Sequence, residues 1–164
     1  MNEIIVFTLK GCSHCVDLKK ELKDIVIADL KTELKDNVTS RYYKQLVIAV
    51  QKYVKHYPEA GGNSRWTITE PIGIQWYPIG GGYKTWHCER HGGNRIISAR
   101  HLVFMTYLND VDDGGTEFKY QNYTTPAKKG MTLIWPTDWT FTHRGQISYT
   151  KEKCVTTGWF SHIQ

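Results

Sequence analysis

Long apolar runs are missing from this 164-residue chain. No stretch approaches the ~18 consecutive apolar residues of a membrane-spanning helix, so no membrane segment is expected. Glu3-Ile4-Ile5-Val6-Phe7 has no basic region before it and no small-residue cleavage pattern after it, so no secretory signal is expected and a cytoplasmic location is favoured. Cysteine is scarce, with four in the chain and only Cys12 and Cys15 close together. That count in an intracellular protein implies thiols, not a disulfide framework. A strong charge of one sign is also lacking: 21 Lys and Arg face 16 Asp and Glu, a net charge of +5. The basic groups Lys19, Lys20 and Lys23, or Lys128 and Lys129, are of the size that solvated faces carry, so nucleic acid is permitted as a partner but not favoured. Repeats, low-complexity segments and linkers are absent too, and one domain over residues 1–164 is expected.

What the chain does contain is 40% hydrophobic and 13% aromatic residues, the composition of a globular fold. At this length about two-thirds of the unfolded surface is buried on folding, so no staple is required. Residues 3–7 predict a short strand, and Val16, Leu18, Leu22 and Ile25 lie near helical spacing after Gly11. A second helix is clearer. Thr39 or Ser40 is placed to cap it, and Tyr43, Leu46, Val47, Val50, Tyr53, Val54 and Tyr57 form an apolar stripe ending before Pro58. From Trp66 the chain changes to short runs rich in Ile, Val, Thr, Tyr and Trp. Strands are predicted at 66–70, 72–77, 83–89, 101–108, 116–119, 131–135 and 153–161, with others between 139 and 150. The fold class expected is mainly β with N-terminal helices (α+β): residues 1–62 supply a strand and supporting helices, and 63–164 a sandwich or barrel core. Helices covering one sheet face would leave the other to line a cavity.

The chemistry concentrates in a few side chains. Along a strand at Tyr83–Glu89, alternation puts His87 and Glu89 on one face, within reach of one metal. His143, after a Pro-Thr-Asp turn, supplies a second imidazole. Two imidazoles and a carboxylate on one face of an octahedral ion leave three positions open, the donor set of non-haem Fe(II) oxygenases. Lys153 follows His143 by ten residues and begins the apolar run Lys-Cys-Val-Thr-Thr-Gly-Trp-Phe. A buried ammonium requires a counter-charge, and a dicarboxylate would provide one. Tyr77 and Tyr107 could add phenolic donors or serve only as core.

Tyr77-x9-His87-x-Glu89, Arg100, Tyr107-Leu108-Asn109-Asp110, Gly114-Gly115-Thr116-Glu117-Phe118, Pro126-Ala127-Lys128-Lys129-Gly130, His143-Arg144-Gly145, Lys153 and Trp159 follow a recognisable order. Over residues 66–162 the chain resembles the prolyl 4-hydroxylase-like Fe(II)- and 2-oxoglutarate-dependent oxygenases, especially the small members carried by marine bacteriophages. The resemblance implies a double-stranded β-helix (jelly roll) with Fe(II) on His87, Glu89 and His143. Lys153 would take the far carboxylate of 2-oxoglutarate, and Tyr77, Tyr107, Thr157 and Trp159 would line the co-substrate pocket. It further implies dioxygen as co-substrate, ascorbate as ancillary reductant, a peptide or protein substrate hydroxylated at a C–H bond, and the host cytoplasm for a phage-encoded chain. Two departures stand out. Most of the family has Asp at Glu89, whose extra methylene moves the carboxylate by about 1.5 Å, and the Gly-Gly-Thr-Glu-Phe turn is one residue shorter than usual.

Other readings of the same residues compete. Phe7–Cys15 resembles the strand, loop and Cys-x-x-Cys start of a glutaredoxin, with dithiol chemistry at Cys12 and Cys15, but only a helix and loop intervene before Trp66. A zinc peptidase needs Glu directly after the first His on a helix, which His87-Cys88-Glu89-Arg90-His91 does not supply. Gly80-Gly81-Gly82 lacks the Lys and helix of a phosphate loop and reads as a turn. A non-catalytic jelly-roll binding module is the remaining rival, resting on Glu89 alone.

Overall fold

The computed structural model describes residues 5–8, 38–62 and 64–163. In chain order its first elements are β1 (Ile5–Thr8), helix α1 (Val38–His56), the short helix α2 (Pro58–Gly61), β2 (Trp66–Ile68) and β3 (Gly73–Tyr77). The short helix α3 (Arg95–Ser98), β4 (Arg100–Tyr107), β5 (Thr116–Phe118), β6 (Tyr123–Thr124) and β7 (Met131–Pro136) follow. A 3-10 turn at Trp139–Phe141, then β8 (His143–Gly145) and β9 (Lys153–His162), complete them.

A six-stranded antiparallel sheet runs β1-β7-β4-β9-β2, with β3 beside the first half of β9 on the edge that β2 also uses. A smaller sheet has the order β6-β5-β8. Strands β4, β7 and β9 read as nearly unbroken apolar and β-branched runs because both faces of the large sheet are covered. On one face Leu102, Phe104, Ile134 and Phe160 pack against Leu46, Ala49, Val50 and Tyr53 of α1. On the other, Val103, Tyr107, Leu133, Trp135 and Val155 meet Phe118 of the smaller sheet, with Phe141 and Val111. Each fully buried aliphatic or aromatic side chain contributes roughly 1.5–3 kcal/mol. The site lies on this second face, as expected for a mainly β jelly roll backed by a helix.

Gly158 shows how closely the strands approach. A Cβ there would come within 2.4 Å of Phe104 Cζ, whose ring is fully buried. Gly158→Ala should therefore destabilise the fold by about 1–3 kcal/mol through overpacking, seen as a lowered urea midpoint at unchanged slope.

Three expectations need correction. Residues 83–89 are not a strand: the segment makes a single bridge, His87 with His143, plus a bond from Gly145 N to Tyr83 O of 2.9 Å. The Thr85 carbonyl, which a ladder would use, instead accepts from His87 Nδ1 at 2.9 Å. Thr39 and Ser40 lie inside the first turn of α1, which already begins at Val38. In its stripe Leu46, Val50 and Tyr53 are buried, joined by Ala49, whereas Tyr43 is exposed. The helix predicted after Gly11, and Cys12 and Cys15, lie outside the described residues. Among the described residues no helix is long and apolar enough to cross a membrane.

Candidate active site

His87 and His143 face each other across their bridge, with ring centroids 4.3 Å apart. The bond from His87 N to His143 O is 3.0 Å and the reverse one 2.9 Å, so the main chain fixes both imidazoles. Glu89 is anchored two residues on, its amide donating to Thr137 O at 3.1 Å. The His87 and His143 Nδ1 atoms lie 2.9 Å from the carbonyls of Thr85 and Phe141 respectively. A carbonyl can only accept, so each Nδ1 carries a proton, and each Nε2 is left either to hold a second proton or to offer a lone pair to a metal ion. Both Nε2 atoms face Glu89 Oε1, which is 3.2 Å from His87 Nε2 and 3.4 Å from His143 Nε2.

Three acceptors lying within 4.8 Å of one another repel unless a cation or proton sits among them. The electrostatics bear this out. Burial pushes the Glu89 carboxyl upward, but hydrogen bonds from His143 and His87 and their charges outweigh it and hold it well below the usual carboxylate range. Burial pulls His87 down, yet its bonds with Glu89 and Thr85 leave its proton affinity raised. Two imidazole nitrogens and one carboxylate oxygen, each imidazole oriented by an Nδ1–H to a carbonyl, fit a divalent ion such as Fe(II).

The other carboxylate oxygen has its own partners. Trp159 Nε1 donates to Glu89 Oε2 at 3.0 Å, and an Arg100 terminal nitrogen reaches it at 3.5 Å and the Glu89 carbonyl at 3.2 Å. The rest of the guanidinium binds Glu70 through two bonds of 2.8 and 2.6 Å, and its carbon sits 3.5 Å from the centre of the Trp159 ring.

A cavity of about 230 Å³ opens from this cluster into the space between the sheets. All eight residues singled out in the sequence, His87, Glu89, His143, Lys153, Tyr77, Tyr107, Thr157 and Trp159, line it. Lys153 is 4% exposed and forms no ion pair among the described residues. Its Nζ donates only to the carbonyls of Gln146 (2.6 Å) and Gly114 (3.1 Å), and burial drives its pKa down to about 8. An ammonium so placed on a cavity wall is suited to an anion. Tyr77 donates to Gln75 Oε1 at 2.7 Å, while the Tyr107 hydroxyl shares bonds with Thr116 (2.7 Å) and Thr125 (3.1 Å). Burial raises both phenols, so they remain protonated. Thr157 bonds to the Phe104 carbonyl at 3.1 Å. Gln75, Tyr83, Met105, Thr116, Trp135, Gly145 and Val155 complete the lining.

Comparisons with known proteins agree with this geometry. The chain matches the 2OG-Fe(II) oxygenase superfamily over residues 72–161, more than half its length. No curated protein matches it in sequence. Among solved structures, the viral collagen prolyl hydroxylase of Paramecium Bursaria Chlorella virus-1, in its 2OG complex, aligns with a TM-score of 0.74 at 12% identity, covering 99% of this chain and 97% of the other. A Pseudomonas putida prolyl-4-hydroxylase aligns with a TM-score of 0.65 at 14% identity, covering 98% and 93%. A Phytophthora capsici prolyl 4-hydroxylase gives 0.65 at 18%, covering 97% of this chain and 58% of its own. The structural likeness establishes the jelly-roll fold and the superfamily match its chemistry, so the chain belongs to the 2OG-Fe(II) oxygenase superfamily and is a 2-oxoglutarate-dependent oxygenase.

Proposed function

We propose that His87 Nε2, His143 Nε2 and Glu89 Oε1 hold Fe(II), that Lys153 anchors the far carboxylate of 2-oxoglutarate, and that the enzyme hydroxylates a prolyl residue in a peptide or protein. The observation that carries the reading is one cavity lined both by three converging metal donors and by a buried ammonium that forms no ion pair among the described residues. When bound, the iron and co-substrate supply the oxidising chemistry, in which dioxygen converts 2-oxoglutarate to succinate and carbon dioxide and delivers one oxygen atom to a substrate C–H bond.

The chain's own residues bind, orient and exclude water. Lys153 fixes one end of the dicarboxylate, and Tyr77 and Tyr107, held by Gln75 and by Thr116 with Thr125, shape the wall beside it. Met105, Val155 and Trp135 make the remaining wall apolar. Tyr83 stands edge-on to His87 with ring centroids 4.4 Å apart, and Arg144 lies 4.4 Å over Trp86. Tyr83, Trp86 and Trp76 expose large aromatic surfaces, the kind on which an extended proline-rich peptide docks. The prolyl hydroxylases among the structural neighbours support this substrate class. Ascorbate as ancillary reductant and a cytoplasmic setting complete the proposal.

The test is incubation of iron-loaded protein with 2-oxoglutarate and a proline-containing peptide library, followed by mass spectrometry. Hydroxyproline is the expected product. Oxidation of another residue alone would refute the prolyl assignment while preserving the reaction class, and no turnover of 2-oxoglutarate at all would refute the site assignment as well.

A further inference from the structure

The glutamate at position 89 brings a difficulty that an aspartate does not. Its extra torsion lets the carboxylate swing, and with a terminal torsion as broad as an aspartate's, either oxygen, or both, can be turned toward an ion. A carboxylate binding through both oxygens would take one of the three positions that co-substrate and dioxygen need. The chain's answer lies on the far side of the carboxylate. Oε1 faces the two histidines, whereas Oε2 accepts from Trp159 Nε1 at 3.0 Å and lies 3.5 Å from Arg100.

The holding groups are themselves held. Arg100 stands at the start of β4, where the register with β9 shifts between Arg100 and Leu102. It grips both the side chain and the main-chain carbonyl of Glu89, while Glu70 binds its other edge through two hydrogen bonds. The side chains of Arg100, Glu70 and Glu89 are at most 15% exposed, so these contacts are little screened by solvent. Stacking of the guanidinium on Trp159, 3.5 Å from the ring centre, fixes the indole whose N–H reaches Oε2.

We propose that Arg100 and Trp159 are positioning residues that tie down Oε2 of Glu89, so that this carboxylate offers only Oε1 to the metal and a coordination position stays free. The proposal rests on His87, Glu89 and His143 being the metal ligands. It explains how a glutamate serves where most of the family has aspartate, and it predicts that the tie is specific to the longer side chain. In Glu89→Asp the carboxylate withdraws by about 1.5 Å and loses the Trp159 N–H.

The test is Mn(II) titration of the full chain, with free Mn(II) read by electron paramagnetic resonance, for Trp159→Phe and Arg100→Lys in two backgrounds. Trp159→Phe keeps the ring under Arg100 and removes only the N–H. In the unmodified background we expect each variant to weaken Mn(II) binding by about tenfold or more, the usual effect of losing a partner of a metal ligand. In the Glu89→Asp background Trp159→Phe should change it by less than about twofold. Equal losses in both backgrounds, or none in the unmodified one, would overturn the proposal. Thermal melting of the metal-free variants checks folding, and if Arg100→Lys is unfolded the comparison with Trp159→Phe still decides. If the unmodified protein takes up no Mn(II), the ligand assignment fails first and the tie falls with it; uptake abolished by Glu89→Ala keeps that assignment standing whatever Trp159 does.

Discussion

His143→Ala is expected to lower oxygen-dependent conversion of 2-oxoglutarate to succinate by at least ~10²-fold, because loss of an orienting partner alone costs 10–100-fold and His143 is proposed as a ligand itself. The variant removes the Nε2 atom that faces Glu89 Oε1 and leaves the carboxylate facing one imidazole. Mn(II) uptake should fall in parallel. His143 also packs against Trp135, with ring centroids 5.0 Å apart, so truncation costs some stability. His143→Gln fills more of the volume with a poor ligand and separates the two effects. A folded His143→Gln protein retaining more than a tenth of the turnover would exclude His143 from the coordination sphere.

Lys153→Met should have opposite effects on binding and on stability. With 2-oxoglutarate present, removing a buried charge from a charge-assisted contact costs about 2–5 kcal/mol, so KM for 2-oxoglutarate should rise by about 30-fold or more with a smaller effect on kcat. Without co-substrate, the wild-type ammonium is buried against two carbonyls and forms no ion pair among the described residues. Methionine replaces that ammonium with apolar volume, so the variant should melt at the same or a higher temperature. The pH dependence follows from the lowered pKa. Folded Lys153 sheds its proton near pH 8 and the unfolded one near its ordinary 10.5, so the unfolded chain holds more protons between these values. Wild-type stability relative to Lys153→Met should therefore rise as pH increases across that window. Affinity for 2-oxoglutarate should move the other way and weaken as pH climbs through about 8, because the bound dicarboxylate needs the ammonium. Calorimetric titration at pH 7 and pH 9 measures this directly, and equal affinities would remove Lys153 from the anion site.

Much of this site was legible in the sequence because its parts obey local rules. His-x-Glu needs only an extended backbone to bring two side chains to one side, and that local geometry survives at His87 and Glu89 although the predicted ladder shrinks to one bridge. Lys153 was readable as a lone cation opening an apolar run, and β9 buries it as expected. What escaped was set by long-range contacts. Glu70 only closed the strand predicted at 66–70, and only the pairing of β2 and β4 with β9 brings it to Arg100. Thr116 sat in a turn motif, and its bond to Tyr107 depends on the small sheet facing the large one. Residues 83–89 carry aromatic and β-branched side chains that favour a strand, yet a side-chain bond from His87 takes the carbonyl that a ladder would use. No local propensity encodes that competition.

The central claim is that one ion binds His87, Glu89 and His143 while Lys153 receives the far end of 2-oxoglutarate. A crystal structure of the protein grown without oxygen in Mn(II) and 2-oxoglutarate tests it most directly. The account predicts one anomalous-scattering peak bonded to His87 Nε2, His143 Nε2 and Glu89 Oε1, with a 2-oxoglutarate carboxylate on Lys153 Nζ. A peak elsewhere, or 2-oxoglutarate bound without reaching Lys153, would contradict it.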